Sequence, residues 1–343
     1  MRVKLLLITI LIITFVFGAF DKRGTTGASW LKIDVGRASG MGSSFVALCD
    51  DATATFYNPS GLSLLTKRVV FFNHIDWIAD VSHEYLSAVI PAGVIGNFGF
   101  SVIALTMGSM METQIDSLYT YQREDEGTGL RFSASGMAVG MSFARYFTEK
   151  LSIGIGVKGI QERIWDMSAS TFAFDVGFHF NTGFHNLRIG VAINNYGPEI
   201  VFTGGRLRRI ERDEKTGKEI PISNVATPVP IPTTFRFGLA ADLISTANSR
   251  LTLCTDLVHY NDINETFNIG FEYLLGNLFF IRGGYILNTD SEYRNQIHWT
   301  TGLSGGLGVK SKLINGMEFQ IDYSYRHHHY LLGSHRVSVS FVF

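Results

Sequence analysis

Proline, cysteine and charge are all scarce in this sequence. Among 343 residues there are 7 Pro and 2 Cys, and charged residues make up 17%, below the roughly 25% usual for soluble domains. Two cysteines exclude a disulfide-dense scaffold and a zinc-ribbon cluster. Lys+Arg 29 against Asp+Glu 30 gives a formal net charge of -1, so the basic surface that a nucleic-acid partner demands is missing. Beyond the N-terminus every apolar stretch is broken by Gly or a polar residue within a few positions, which excludes a membrane-spanning helix of about 20 residues. Glycine, by contrast, is abundant at 36 residues, and phenylalanine at 27. Aromatic and β-branched residues are too frequent for a disordered chain.

Arg2 and Lys4 precede an apolar run from Leu5 to Phe17, and the small residues Gly18 and Ala19 follow. A charged start, a short apolar core and a small-residue end describe a secretory signal peptide. Residues 1–20 are therefore expected to be removed, leaving a mature chain that starts near Phe20 or Asp21. An exported chain with no apolar helix can cross a membrane only as a closed barrel, because lipid cannot satisfy open backbone groups.

The remaining sequence alternates. Phe172, Phe174, Val176, Phe178 and Phe180 share one parity, with Ala173, Asp175, Gly177 and His179 between them. Leu187, Ile189, Val191 and Ile193 repeat the pattern, as do Phe267, Ile269, Phe271 and Tyr273, then Phe319, Ile321, Tyr323 and Tyr325. A strand sends successive side chains to opposite faces, so each segment has one apolar and one polar face. The runs are about 10 residues long, the length a tilted membrane strand needs. Asp175, Arg188, Arg236, Asp256, Glu272, Arg282 and Asp322 fall on the polar parity and are expected to face a lumen, where opposite charges can pair. Gly154, Gly177, Gly190, Gly238, Gly270 and Gly284 share that parity, as a crowded or curved interior requires.

Strands are expected near 69–74, 83–92, 96–107, 133–146, 151–163, 170–181, 186–197, 233–242, 250–260, 265–275, 278–288, 300–309, 316–326 and 335–343. That is about fourteen, an even number as in single-chain bacterial barrels. The connections alternate between short turns, such as 93–95 and 147–150, and long loops, such as 108–132 and 196–232. Short turns on the periplasmic side and long loops outside are the barrel pattern. The expected fold is an all-β transmembrane antiparallel barrel over residues 66–343, in the bacterial outer membrane, with residues 21–65 as an N-terminal hatch or plug.

That N-terminal stretch carries a motif. Gly36-Arg37-Ala38-Ser39-Gly40-Met41-Gly42 leads to Phe45-Val46-Ala47, then Asp50-Asp51-Ala52, and ends Asn58-Pro59-Ser60-Gly61-Leu62. Asn58 to Gly61 is a turn signal, and Asp50 is placed to cap a short helix starting at Asp51. The stretch resembles the PorV/PorQ family of outer-membrane proteins, which is similar in turn to the long-chain fatty-acid transporter barrels; Ser60 stands where Ala is usual. Asn194-Asn195-Tyr196-Gly197-Pro198 and Pro230-Ile231-Pro232 match as well. The terminal Phe343 resembles the signal read by barrel-insertion machinery. The resemblance implies a 14-stranded barrel with a hatch, whose motif residues are Gly36, Gly40, Gly42, Asp50, Asp51, Asn58, Pro59 and Gly61. It implies an accessory of type IX protein secretion, with secreted proteins or secretion components as partners. The alternative it leaves open is a transporter or channel for hydrophobic small molecules such as long-chain fatty acids.

Other chemistry weighs less. Gly302-Leu303-Ser304-Gly305-Gly306 matches the nucleophile elbow, with Asp322 and His335 following, but an elbow needs a strand–turn–helix setting that an alternating strand does not offer. Gly40-Met41-Gly42 lacks the Lys-Ser/Thr of a phosphate loop. His327, His328 and His329 with His335 are able metal ligands, yet neighbours in a strand point opposite ways. Neither catalysis nor a cofactor or metal is expected. Cys49 and Cys254 share an oxidising compartment that permits a bond. Trp165 and Trp299, with Tyr146 and Phe147 at the other end, suit membrane interfaces. Arg206, Arg208, Arg209, Arg212 and Lys215 with Glu211, Asp213 and Glu214 mark a solvated outer loop.

Overall fold

The alternating segments pair edge to edge until the sheet meets itself. In the computed structural model, which describes residues 26–112, 129–184, 186–212, 219–289, 300–312, 316–329 and 333–343, the wall is a closed 14-strand antiparallel barrel. Its strands are β1 Val69–Asp76, β2 Ser82–Pro91, β3 Asn97–Thr106, β4 Ala134–Tyr146, β5 Leu151–Ile164, β6 Met167–Asn181 and β7 Arg188–Tyr196. They continue as β8 Thr234–Ser245, β9 Ser249–Tyr260, β10 Thr266–Leu275, β11 Phe279–Asn288, β12 Leu303–Lys312, β13 Glu318–Arg326 and β14 Ser334–Val342. Each pairs with the next in sequence, and β1 closes the ring on β14 from Val69↔Val342 to Asp76↔His335. The signal-peptide expectation, Trp299, and Asp213, Glu214 and Lys215 of the outer loop lie outside the described residues.

Alternation sets the two faces. Phe172, Phe174, Val176, Phe178 and Phe180 of β6 are exposed on the outside, while Ala173, Asp175 and His179 are buried within. Phe267, Ile269 and Phe271 of β10 likewise face out, and Asn268 and Glu272 face in. A ring of outward apolar side chains around a polar lining is the reverse of a soluble barrel and marks a wall solvated by acyl chains. The fold and this girdle place the protein in a bacterial outer membrane. Short turns join the strands at the end where β1 begins, and the long 107–133 and 197–233 connections lie at the other; by the loop-length rule the latter is the outer end.

Two irregularities interrupt the register. Between β8 and β9, Asp242↔Thr252 is followed by Ile244↔Leu251. Between β6 and β7 the register shifts from Val176↔Ile193 to Phe174↔Tyr196, so that Asn194 and Asn195 oppose the single Asp175. This is a β-bulge, and Asn195 and Asp175 are bonded within it. Asn195 has a positive φ of 58°, its N–H donates to Asp175 Oδ1 at 2.8 Å, and Lys158 Nζ reaches both Asn195 Oδ1 at 2.7 Å and Asp175 Oδ2 at 2.8 Å. Beyond the bulge the connection runs back against β6, where Thr203–Gly204 pairs with Ser168 and Met167. The outer loop also forms a backbone hairpin from Arg208–Arg212 and Glu219–Ser223.

Residues 26–65 lie inside the ring. Val35, Ala38, Met41, Phe45, Val46, Leu48, Tyr57 and Leu62 are essentially without solvent exposure. The lumen is therefore filled with chain rather than water. Cys49 and Cys254 are both buried free thiols, so no bond tethers this inner segment to the wall. Both are expected to resist a thiol-alkylating reagent in the folded protein and to react once it is denatured. Alkylation of either without denaturant would mean the lumen is open.

Candidate functional site

The inner segment meets the wall through backbone contact and buried charge. Its fit explains the inward glycines. A Cβ at Gly154 would overlap Pro59, one at Gly177 the Asn58 side chain, one at Gly190 the Val46 carbonyl, and one at Gly270 or Gly284 the Met41 backbone. Gly238 is the partial exception, where a Cβ would meet the wall's own Asp256 as well as Val46. The glycines are thus required by close approach of a second backbone rather than by wall curvature alone.

The motif residues each hold a position in this fit. Gly36 (φ +64°) and Gly42 (φ +62°) adopt left-handed conformations that favour glycine. Gly36 N–H donates to Asn73 Oδ1 at 3.0 Å and Gly42 N–H to Ser304 Oγ at 2.9 Å. Gly40 sits against the backbone of Gly305 and Gly306, and Gly61 against the Cys49 carbonyl. Asn58 Oδ1 accepts from Ser60 N–H at 3.2 Å and opens the short helical turn Pro59–Leu64. Asn58 Nδ2 donates to Val46 O at 2.9 Å and to Phe178 O of the wall at 3.1 Å. The helix starts at Ala54 rather than Asp51, with Thr53 at its N-cap and no side-chain cap bond; Asp51 accepts from Thr53 N–H at 2.8 Å just ahead of it. Asp50 is drawn away by a guanidinium.

That guanidinium is Arg37. Its Nε donates to Asp51 Oδ2 at 2.7 Å, its Nη1 to Glu272 Oε2 at 2.9 Å, and its Nη2 pairs with Asp50. Glu272 also accepts from Arg282 Nε at 2.7 Å, and Arg282 Nη1 reaches Asp322 Oδ1 at 2.6 Å. One arginine of the inner segment therefore joins its own two aspartates to a wall network of Glu272, Arg282 and Asp322. Of the other inward charges, Arg188 pairs with Asp242 at 2.5 Å. Asp256 accepts from the N–H groups of Phe45 and Val46 at 2.8 and 3.0 Å, and Arg236 stacks 5.5 Å over Tyr57. Beneath the Arg37 knot, at the short-turn end, lies a cavity of about 260 Å³ lined both by charged residues such as Arg37, Asp50, Asp51 and Lys310 and by apolar ones such as Phe71 and Phe280.

At the outer end the character changes. A pocket of about 440 Å³ opens between the inner segment and the wall, with Trp30, Ile33, Trp77, Val81 and Leu105 as its apolar lining and Asp34 and Arg326 in its floor. Trp30 is fixed by its Nε1–H donating to Glu162 Oε1 at 2.8 Å. Gly27 N–H donates to Pro230 O at 3.0 Å and lies against the Ile200 side chain, so the long outer loop contacts the start of the inner segment. Neither tryptophan, nor Asp34 or Arg326, stands out in the sequence, because the elements that bring them together are far apart.

The remaining motifs do not assemble. Ser304 Oγ accepts from Gly42 N–H and donates to Gly284 O at 3.3 Å, Asp322 is held by Arg282, and His335 pairs outside the barrel with Tyr323 at 2.7 Å. His328 packs edge-on against Trp77 at 5.7 Å while His327 and His329 lie 6.4 Å apart; among the described residues no group of three His, Cys, Asp or Glu side chains is placed to hold a metal. Trp165 stacks on Phe132 at 4.9 Å, and Tyr146 and Phe147 are exposed at the short-turn end. Phe343 N–H donates to Arg68 O at 2.9 Å with its ring exposed.

The architecture defines a class, the closed 14-stranded outer-membrane barrel, and known structures share that fold. The toluene transporter TbuX of Ralstonia pickettii superposes with a TM-score of 0.56 at 12% identity, over 89% of this chain and 96% of that one. The toluene transporter TodX of P. putida gives a TM-score of 0.56 at 11% identity, over 94% and 99%. A FadL homologue of Pseudomonas aeruginosa gives 0.53 at 11% identity, over 91% and 98%. The model of an uncharacterised protein family, UPF0164, matches residues 22–163. No curated protein matches the chain. Two of these structures are toluene transporters and the third is a FadL homologue, and at 11–12% identity the likeness shows the shared fold.

Proposed function

We propose that the protein admits hydrophobic small molecules through the outer membrane, with residues 26–65 as the plug that controls passage. The observation that carries this reading is the outer pocket: an apolar, aromatic-walled recess of about 440 Å³ resting directly on the inner segment, within the size range of small-molecule sites. A ligand seated against Trp30 and Trp77 touches both the wall and the plug. The fold shared with the toluene transporters supports the same reading. The PorV/PorQ-like motif from Gly36 to Leu62 supports a second, an export accessory, which makes a different prediction.

The test is deletion of the gene, followed by uptake of long-chain fatty acid and of toluene alongside the secreted proteome. Reduced uptake with normal secretion is the expected result. Normal uptake with lost secretion would replace this reading with the second. Within the pocket, Trp77→Ala is expected to weaken binding of a hydrophobic probe by roughly tenfold, since removing the contact of one large apolar side chain forfeits about 1.5 kcal/mol or more. Binding by the purified variant, measured by calorimetry, checks it; an unchanged affinity would move the site elsewhere.

A further inference from the structure

The outward apolar band is not the same height all round the wall. On β6 the residues Phe172, Phe174, Val176, Phe178 and Phe180 run unbroken between Ser170 and Thr182, which are twelve positions apart. On β1 only Val70 and Phe72 stand between the exposed Arg68 and His74, six positions apart. β2 contributes Ile90, Ala88 and Leu86 before Glu84, and β14 contributes Phe341, Val339 and Val337 before His335. At about 3.4 Å per residue and a tilt of roughly 40°, twelve positions rise about 31 Å and six about 16 Å. The apolar band of an outer-membrane barrel is about 25 Å tall, so the β6 side spans it and the β1 side falls short by about 10 Å.

The upper limit on the low side is set by polar groups. His74 Nδ1 lies 2.5 Å from Glu84 Oε1 and His74 Nε2 lies 3.3 Å from Asp76 Oδ1, all on the outer face. Asp76 is paired across the strands with His335, whose Nδ1 is 2.7 Å from the Tyr323 hydroxyl and whose ring stands 5.1 Å from that of Tyr325. Ionisable side chains are expensive in hydrocarbon, and tyrosine collects at the water boundary. On the tall side the matching boundary is marked by Trp165 stacked on Phe132, beyond the end of β5. A lean of the whole barrel does not remove the mismatch, because it shifts both ends of each strand's band together and leaves the height unchanged. A short apolar stretch is met instead by a thinner bilayer or by a neighbouring molecule.

We infer that the β14–β1–β2 side is a lipid-binding surface that holds a locally thinned bilayer, with outer-leaflet headgroups descending to the row of His74, Glu84 and His335. The occupant is lipid rather than a second copy of the chain. His74, Glu84 and Asp76 are bonded to one another, and seating a second barrel on them would take the whole cluster out of water, which is costly for charged groups. Below the cluster the surface continues without a break into the exposed Val70, Phe72, Leu86 and Val337 of the lipid-facing wall. The β1–β2 turn that carries Trp77 and Val81 follows directly on Asp76. Asp76 is only eight positions above Arg68, so under a uniform band of about 25 Å the turn would be submerged. Thinning keeps the mouth of the outer pocket clear of acyl chains, whatever the pocket binds.

The test places a spin label on two outward positions of equal height, in the full-length protein reconstituted into vesicles of dioleoyl-phosphatidylcholine. Val337→Cys and Val176→Cys each stand six positions above the rim, at Phe343 and Thr182, and Val337 pairs with His74 across the β1–β14 seam. The native cysteines are buried and do not take the label. Collisions with oxygen, which concentrates in hydrocarbon, and with a water-soluble nickel chelate report the depth of each label. The Val337→Cys label is expected to meet the chelate severalfold more often than the Val176→Cys label. Adding His74→Leu and Glu84→Leu extends the apolar band upward and is expected to draw the Val337→Cys label to the oxygen-rich depth of the other. Equal depths before that change would overturn the inference, since a flat bilayer treats the two positions alike. Shielding of the Val337→Cys label from oxygen and chelate together would overturn it in favour of a second copy. A reading unmoved by the two leucine substitutions would overturn it as well, because the cluster would not then set the boundary.

Discussion

Replacing Arg37 with methionine is expected to turn the sealed barrel into one that conducts ions. Methionine keeps an unbranched apolar chain but removes the guanidinium that is paired at once with Asp50, Asp51 and Glu272. Of the bonds to those carboxylates and Asp322, the ones from Arg282, from Gln320 to Asp322 at 2.8 Å, and from Arg250 at 3.8 Å to Glu272 would remain. Breaking a buried ion pair by removing one partner costs about 3–5 kcal/mol, because the other partner is left uncompensated. Here three partners are left together and repel one another. The segment is folded on itself through Asp50 and Asp51 and anchored to β10 through Glu272, so both ties fail in one change. Current across planar bilayers and new protease sites between residues 36 and 52 are the readouts. Arg37→Lys keeps a charge but not the fork and should fall between the two. A silent bilayer and an unchanged digestion pattern would show that packing alone seats the segment.

The second large effect is steric. Gly284→Leu is expected to unseat the inner segment while leaving the wall intact. A Cβ at Gly284 already overlaps the backbone at Met41 and Gly42, so the strip Met41–Ala47 has to lift off the wall. It has little room to adjust, since Gly42 is fixed at a φ of +62° and its N–H is bound by Ser304. Overpacking of this kind usually costs about 1–3 kcal/mol, and contact with backbone rather than a movable side chain places it at or above the top of that range. Gly159→Leu is the matched control: it also lies on the wall, but a Cβ there meets nothing within 4 Å. Protease cleavage of residues 26–65 in the first variant and not the second is the expected contrast. Equal resistance in both would mean that the glycine strip is not what admits the segment.

The wall was legible along the chain because each strand declares its own faces. The expectation of 151–163 and 170–181 meets β5 and β6 at Leu151–Ile164 and Met167–Asn181, since unbroken alternation is a local property. Boundaries drifted where a local feature broke that rhythm. β8 runs on to Ser245 past its bulge at Asp242 and Ile244. β12 begins at Leu303 rather than three residues earlier, because Gly302 holds a φ of +111° that no strand continues through. The inner position of Glu272 and Arg282 followed from parity, and their contact at 2.7 Å followed from adjacent strands in register.

Which inner groups meet across the ring did not follow. Asp34 and Arg326 are separated by 292 residues, and Trp30 reaches Glu162 across 132. Nothing in the alternation marks Arg336 as different from any other inward residue of β14. The sequence by itself determined a two-faced, membrane-facing wall, because side-chain direction in a strand depends only on the neighbours along the chain. Only closure of the ring around residues 26–65 decided that a single aspartate would answer to Arg326 and Arg336 beside an aromatic pocket, because contact between distant segments is fixed by how the whole circumference folds shut.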